Sequence, residues 1–465
     1  MKKLFLVLFA AVLVMAFSMP AVAADVKFFG DYYVAGYYSS NYSLNDNDAT
    51  AKNNGGRGTF GQRLRINTVF QVAEGLKLTT RFDALERVWG QEAAIGTPNP
   101  ATTTATSGGY RDENNIAWER AYVTFNLGPG FFDVGYAAEG YWSPIAFGNT
   151  TGSAGLVRYT APFGPLTVSA YWEKIKENEF EPTIYNNGDY DRFAIQGTYK
   201  WSSGQAGLQL LMDKVESNLA TFAYRNTTNN ITLPAGAKLT YYEASPFVQA
   251  KFGPVDLEGK MYWSWGTAEM KAGGDEVDID GLSVYLNGKF NFGPAYVGAM
   301  FAYIKGQDPN DEDVTISHGG GQDWDPCLIL GNDRYTKWQG GRYASAPGWG
   351  APGGNPFRDN NSTAGGAHAY DEKNAFFYQV YVGYNPIPKL ALKAAFTYVK
   401  ADETLPGYDD HIGNELDITA AYKIYPNLEY MVGFGYLWTG DWYKGTTSTS
   451  VDDNYLLMHQ LTLTF

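Results

Sequence analysis

The sequence predicts an all-β fold: a transmembrane, antiparallel up-and-down β-barrel of about 18 strands, with 16 as the alternative count. Three observations predict it. Apolar and polar residues alternate with a period of two over segments of about ten residues, short connections alternate with long ones, and the chain opens on an export signal.

The export signal comes first. The opening residues read MKKLFLVLFAAVLVMAFSMPAVAAD, with Lys2 and Lys3 ahead of an apolar stretch from Leu4 to about Met19 and the small residues Ala21, Val22 and Ala23 behind it. That order is a secretory signal peptide, and its apolar core is too short to anchor in a membrane. Residues 1–24 are expected to be removed, leaving 25–465 as a single domain without linker-like stretches.

Composition narrows the class. Aromatics make up 16% of the chain, with 35 Tyr, and no later stretch offers the roughly 20 consecutive apolar residues of a spanning helix. The net charge of −14 excludes a generally basic nucleic-acid-binding surface, because such a surface needs a Lys/Arg excess to displace counterions. Cys327 is the single cysteine, so no disulfide forms within the chain, and it reads as an incidental loop thiol.

The strands follow from alternation. In Val255 to Trp265, one face carries Val255, Leu257, Gly259, Met261, Trp263 and Trp265, and the other Asp256, Glu258, Lys260, Tyr262 and Ser264. Leu416 to Ile424 and Leu390 to Tyr398 divide in the same way. Alternation alone also fits a soluble sandwich, but strands of ten residues or more suit a tilted crossing of a bilayer, whereas sandwich strands average about five or six. Trp172, Trp201, Tyr384 and Trp438 stand near segment ends, where a membrane girdle places aromatics.

The connections supply the count. Leu127-Gly128-Pro129, Phe163-Gly164-Pro165, Phe252-Gly253-Pro254 and Phe292-Gly293-Pro294 repeat one tight turn, and Ser202 to Gly204 stands in for a missing member. Polar loops lie between, the longest from about Gln307 to Glu372; loops of that length are ordinary on the outer face of a barrel. About eight tight turns and nine long loops give about 18 strands, an even number with both ends on the periplasmic side. Tyr455 to Phe465 would close the sheet against Val26 to Tyr38, because hydrocarbon satisfies no open edge.

At this point several segments resemble the general bacterial outer-membrane porin family of Gram-negative cells. VKFFGDYYVAGYY from Val26 is similar to its first strand, GQRLRINTVFQVAEGLKLTTRFDALE from Gly61 to its second and third, and ERAYVTFNLGPGFFDVGY from Glu119 to its fourth and fifth. VRYTAPFGPLTVSAYW from Val157 is similar to its sixth and seventh, and the terminal Phe465 to its assembly signal. The resemblance implies a cell outer-membrane location and a water-filled channel for passive diffusion of small hydrophilic solutes and ions. It also implies lipid and lipopolysaccharide around the barrel, recognition of the last strand by the barrel-assembly machinery, and a homotrimer.

The resemblance further implies that the loop after the fifth strand, here about Ala138 to Ala154 with Glu139, Tyr141, Trp142 and Phe147, narrows the lumen. It would face a basic wall of Arg63, Arg65, Arg81, Arg120 and Arg158. Parity agrees, since Leu64, Ile66, Ala121 and Val123 take the lipid face and turn Arg63, Arg65 and Arg120 inward. An arginine on the lipid face near the midplane would cost about 2–4 kcal/mol. The arginines could instead pair with Asp31, Asp83 and Asp133 to fill the wall. With Glu139 as its single acid, the loop sets up a weak transverse field, so weak anion preference or near neutrality is expected.

Rival functions leave fainter marks. The four histidines, His318, His368, His411 and His459, fall in loops or on the lipid face, and no nucleophile and base are paired, so no enzyme is expected. The run from Asp308 to Asp313 offers oxygen ligands suited to Ca²⁺ but no full binding loop, and no cofactor or metal is expected. Tyr335, Trp338, Tyr343 and Trp349 make the long loop a surface cap or the gate of a substrate-specific, sugar-type channel. A barrel that sheathes a partner, including an electron-transfer protein, is the remaining alternative, although no CxxCH is present.

Overall fold

A computed structural model gives the architecture. It describes residues 25–41, 44, 56–89, 116–138, 142–149, 152–177, 189–217, 223–225, 230–232, 237–269, 276–308, 310–311, 313–321, 323–331, 374–404, 406–444 and 451–465. The expected signal peptide lies outside these residues.

Eighteen long strands form one sheet. They are β1 (Asp25–Ser39), β2 (Arg57–Ala73), β3 (Leu76–Val88), β4 (Ile116–Leu127), β5 (Gly130–Ala138), β6 (Ser153–Phe163), β7 (Leu166–Lys176), β8 (Tyr190–Trp201) and β9 (Gly204–Ser217). The second half comprises β10 (Ala237–Phe252), β11 (Val255–Glu269), β12 (Glu276–Phe292), β13 (Ala295–Ile304), β14 (Ala375–Ile387), β15 (Leu390–Ala401), β16 (His411–Tyr425), β17 (Leu428–Thr439) and β18 (Asn454–Thr464). Each strand pairs antiparallel with the next, and β1 pairs with both β2 and β18, so the sheet is closed. Gly30 and Phe465 exchange backbone hydrogen bonds of 2.9 and 3.1 Å across the closing seam.

The repeated turn is one conformation used four times. Gly128, Gly164, Gly253 and Gly293 have φ of 61°, 62°, 58° and 61°, a left-handed geometry that glycine adopts without a Cβ penalty. The following proline ends the ladder where no donor is needed. Among the described residues no helix is long and apolar enough to cross a membrane.

Alternation sorts the side chains as the sequence implies. On β11, Trp263 is 54% exposed on the outer face, whereas Lys260 is only 2% exposed on the inner one. Phe28, Trp118, Phe193, Leu286, Val380, Ile418 and Leu457 carry the outer face around the circumference. In water such a belt would far exceed the apolar patches that soluble monomers tolerate, so its solvent is lipid.

Two of the described connections turn inward. Trp142–Asn149, after β5, packs inside the barrel against β10–β12. Part of the long connection after β13 also enters, with Trp324, Cys327, Ile329 and Leu330 buried in the same apolar cluster as Phe147, Tyr262 and Phe377. The described part of that connection is therefore no surface cap, and Cys327 is no incidental loop thiol: it is buried where Thr397 of β15 accepts from its Sγ at 3.3 Å. Tyr335, Trp338, Tyr343 and Trp349 lie outside the described residues.

Candidate functional site in the barrel interior

Strands β2 to β9 bear a ladder of arginines and acids. Arg65 forks onto Asp83, with Nε donating to Oδ1 and Nη2 to Oδ2, each at 2.7 Å. Arg63 Nη2 donates to Asp31 Oδ2 at 3.2 Å, and Glu119 touches both Arg65, at 3.4 Å, and Arg81. Arg158 Nη2 donates to Asp133 Oδ2 at 2.8 Å, while Thr124 Oγ1 donates to Asp133 Oδ1 at 2.6 Å. Planar guanidinium forks suit such pairing, and each pair neutralises charge that the low-dielectric wall would otherwise penalise.

A bulge completes the first cluster. The β3–β4 register slips between Arg81 and Phe82, so that Arg81 faces Arg120 and Phe82 faces Trp118. The extra residue, Glu119, thereby joins Arg120 on the inner face while Trp118 stays outside. Arg63, Arg65, Arg81 and Arg120 thus come together around Asp31, Asp83 and Glu119, and Arg158 stands apart with Asp133.

Sequence reasoning missed the next rung. Arg192 forks onto Asp213 at 2.8 and 2.9 Å and stands 3.8 Å from Glu173. The signal was present: Phe193 and Ile195 are outward apolar residues, so alternation turns Arg192 inward.

The opposite side of the lumen is packed by inserted loop. Trp142 meets the Phe247 ring edge-on and donates from Nε1 to Ser245 Oγ at 3.0 Å. Phe147 stacks on Tyr285 and meets Trp324 edge-on, both at about 5 Å between centroids. Lys260 Nζ donates to Phe147 O at 2.8 Å and Asn149 Oδ1 at 3.1 Å. Glu139 and Tyr141 lie outside the described residues.

The two inserted loops also hold each other. Gly148 N donates to Gly320 O at 2.6 Å, and Asn149 bridges Gly321. His318 stacks on Tyr262 with 4.0 Å between centroids, its Nε2 is 2.9 Å from Gly148 O, and its Nδ1 is 3.3 Å from Glu243. His318 is therefore an interior loop contact, and His411 opens β16 rather than lying in a loop. Farther along, Ile329 N and Leu330 N donate to the two oxygens of Glu415 at 2.6 and 2.8 Å, and Gln379 Nε2 donates to Pro326 O at 2.7 Å. The Cys327 thiol lies beside Glu415 and Asp417; burial first, then these carboxylates, push its pKa well above the ordinary range. In the acidic run, Asp308 accepts from Asn310 N at 2.8 Å and Asp311 from Asp313 N at 3.1 Å, so these carboxylates close their own turns.

Comparison with known proteins decides the family. The model described as Gram-negative porin matches residues 10–324, more than half of the chain. The chain belongs to the Gram-negative porin family. The porin is thus an outer-membrane β-barrel of a Gram-negative cell, a channel protein and not an enzyme.

Solved structures similar to the porin include OccK9 (OpdG) of Pseudomonas aeruginosa, at TM-score 0.49 and 11% identity, covering 95% of this chain and 99% of that one. A BenF-like porin from Pseudomonas fluorescens Pf-5 matches at 0.47 and 12%, over 95% and 99%. The anion-selective porin from Comamonas acidovorans matches at 0.46 and 11%, over 95% and 100%. No curated protein matches the chain.

Proposed function

We propose that the porin is a narrow, nearly non-selective channel for passive diffusion of small hydrophilic solutes and ions. The observation that carries this reading is the balanced ladder from β2 to β9, in which Arg63, Arg65, Arg81, Arg158 and Arg192 each contact a carboxylate. Asp31, Glu119 and Arg158 keep part of their side chains accessible, so the water path of this reading runs along this wall, past the loops packed against the other side. A balanced field favours neither sign of ion strongly, whatever the net charge of −14. Single-channel recording in a planar bilayer tests the reading. Stepwise openings with a reversal potential near zero in a salt gradient support it; strong selectivity for either ion, or a silent barrel, overturns it.

A substrate-specific channel is the second reading. It is favoured by a chamber of about 1040 Å³ near the tight-turn end, whose lining includes Lys289, Tyr296, Trp324, Tyr381 and Lys393. Lys289 stands over Tyr296 and Lys393 over Tyr381, 5.6 and 5.2 Å from the ring centroids, a surface on which a polar ring could stack. Block of the current by added oligosaccharide would favour this reading over free diffusion. Assembly as a homotrimer, and recognition of the last strand by the assembly machinery, belong to the same proposal; the outward Phe465, 49% exposed, supports the latter.

A further inference from the structure

Where the long connection meets β16, the lumen holds ligand-type side chains for which diffusion has no use. Cys327 Sγ and one carboxylate oxygen each from Glu415 and Asp417 all lie within 4.8 Å of one another, and all three residues are buried. Glu415, fully buried, accepts from Ile329 N and Leu330 N. Asp417 is 6% exposed; its Oδ2 accepts from Leu328 N at 3.3 Å, but its Oδ1 is buried with no hydrogen-bond donor among the described residues.

That orphaned oxygen points at its neighbour. A Cβ built on Gly435 would stand 3.0 Å from Asp417 Oδ1 and 3.3 Å from Glu415 Oε1, so the two oxygens share one small space. Two adjacent carboxylates away from water do not both ionise unless a positive charge joins them. Lys393 lines the same cavity and its charge reaches Asp417, but its ammonium stands over the Tyr381 ring and makes no salt bridge with either acid among the described residues. A proton shared by the two acids would make no use of sulfur. A borderline divalent cation of the zinc class takes thiolate and carboxylate together, with the remaining position left to water.

Access is provided as well. A cavity of about 260 Å³ runs from Cys327 and Asp417 to Glu429 and Thr462, which lie at the tight-turn ends of β17 and β18. An ion would therefore enter from the periplasmic side.

We propose that Cys327, Glu415 and Asp417 form a binding site for a zinc-class divalent cation, which ties the inserted loop to the barrel wall. On binding, the Cys327 S–H bond breaks, its proton leaves to solvent, and the sulfur electron pair forms the bond to the metal, with no change of oxidation state. Asp417 Oδ1 gains the partner it lacks.

The test uses the full chain folded in detergent and stripped with a chelator, titrated with Zn²⁺ calorimetrically and with Co²⁺ by absorption. The expected result is saturable binding of one equivalent, with a thiolate-to-Co²⁺ charge-transfer band that disappears in Cys327→Ser. Asp417→Asn should weaken Zn²⁺ binding by at least about 10-fold, the loss that even an outer partner's removal can cause. Heat-dependent gel mobility reports folding of each variant. If Asp417→Asn does not fold, the wild-type band and its loss in Cys327→Ser still decide. Absence of saturable binding, or binding that Cys327→Ser leaves unchanged, overturns the proposal and leaves a shared proton between the two acids.

Discussion

The wall from β2 to β9 and the wall from β10 to β18 answer the same requirement in opposite ways. Each has inward polar residues that must be satisfied. The first satisfies them pairwise, arginine to carboxylate, as in Arg65 with Asp83 and Arg192 with Asp213, whose side chains are 15% exposed or less. The second satisfies them with loop backbone, as in Lys260 with Phe147 O and Glu415 with Ile329 N, and buries an aromatic cluster in doing so. A barrel of one circumference therefore combines an ion-paired half with a half filled by inserted loops.

The largest expected effect comes from emptying the filled half. Replacing Asp323–Gly331 with a Gly/Ser linker should raise single-channel conductance severalfold; unchanged conductance would mean that this half does not set the bore. Next comes Asp83→Ala, which leaves the Arg65 fork without its main partner. Breaking a buried pair costs about 3–5 kcal/mol, the lower end applying here because Glu119 remains near Arg65. Denaturant unfolding in detergent measures that loss, and the reversal potential should move toward anion preference.

A smaller, local effect is expected from Trp142→Ala. Removal of a buried Trp costs about 3–5 kcal/mol in a core. Here the loop can release without unfolding the barrel, so the loss should appear as faster amide exchange over Trp142–Asn149 and noisier current, with global stability nearly unchanged.

The smallest effect is electrostatic and lies in the connection after β13. Desolvation first, then Asp311, Asp278 and Asp280, raise the Asp313 pKa. A raised folded-state value means that the native loop binds more protons than the unfolded chain, so its stability is greatest below the ordinary carboxylate range and declines as pH rises through the raised value. Asp313→Asn should flatten that decline, as read from amide exchange of residues 313–321 between acidic and neutral pH. An unaltered slope would show that the charge at Asp313 does not matter.

The ion-paired half was largely legible in the sequence because alternation governs it: Leu64 and Ile66 outward imply Arg63 and Arg65 inward. The bulge in β4 was also written there. Trp118 and Ala121 both belong outside yet stand three apart, so one extra residue must be absorbed between them, and Glu119 is that residue. The filled half was not legible, because its contacts join residues with no periodic relation. Leu330 meets Glu415 across 85 positions and Lys260 meets Phe147 across 113, and nothing local to either partner announces the other. An isolated Cys327 in a polar, glycine-rich stretch looks like surface until the fold brings it beneath Thr397.

The four glycine–proline turns have a further consequence. Because Gly128, Gly164, Gly253 and Gly293 share one left-handed φ, each hairpin reverses the chain by the same local device. Duplicating or losing such a hairpin would change the girth by two strand spacings, each about 4.8 Å. The parity of the strand number and the sidedness of the termini would be preserved. Circumference in this architecture can thus evolve in discrete steps, while the internal loops adjust the passage continuously.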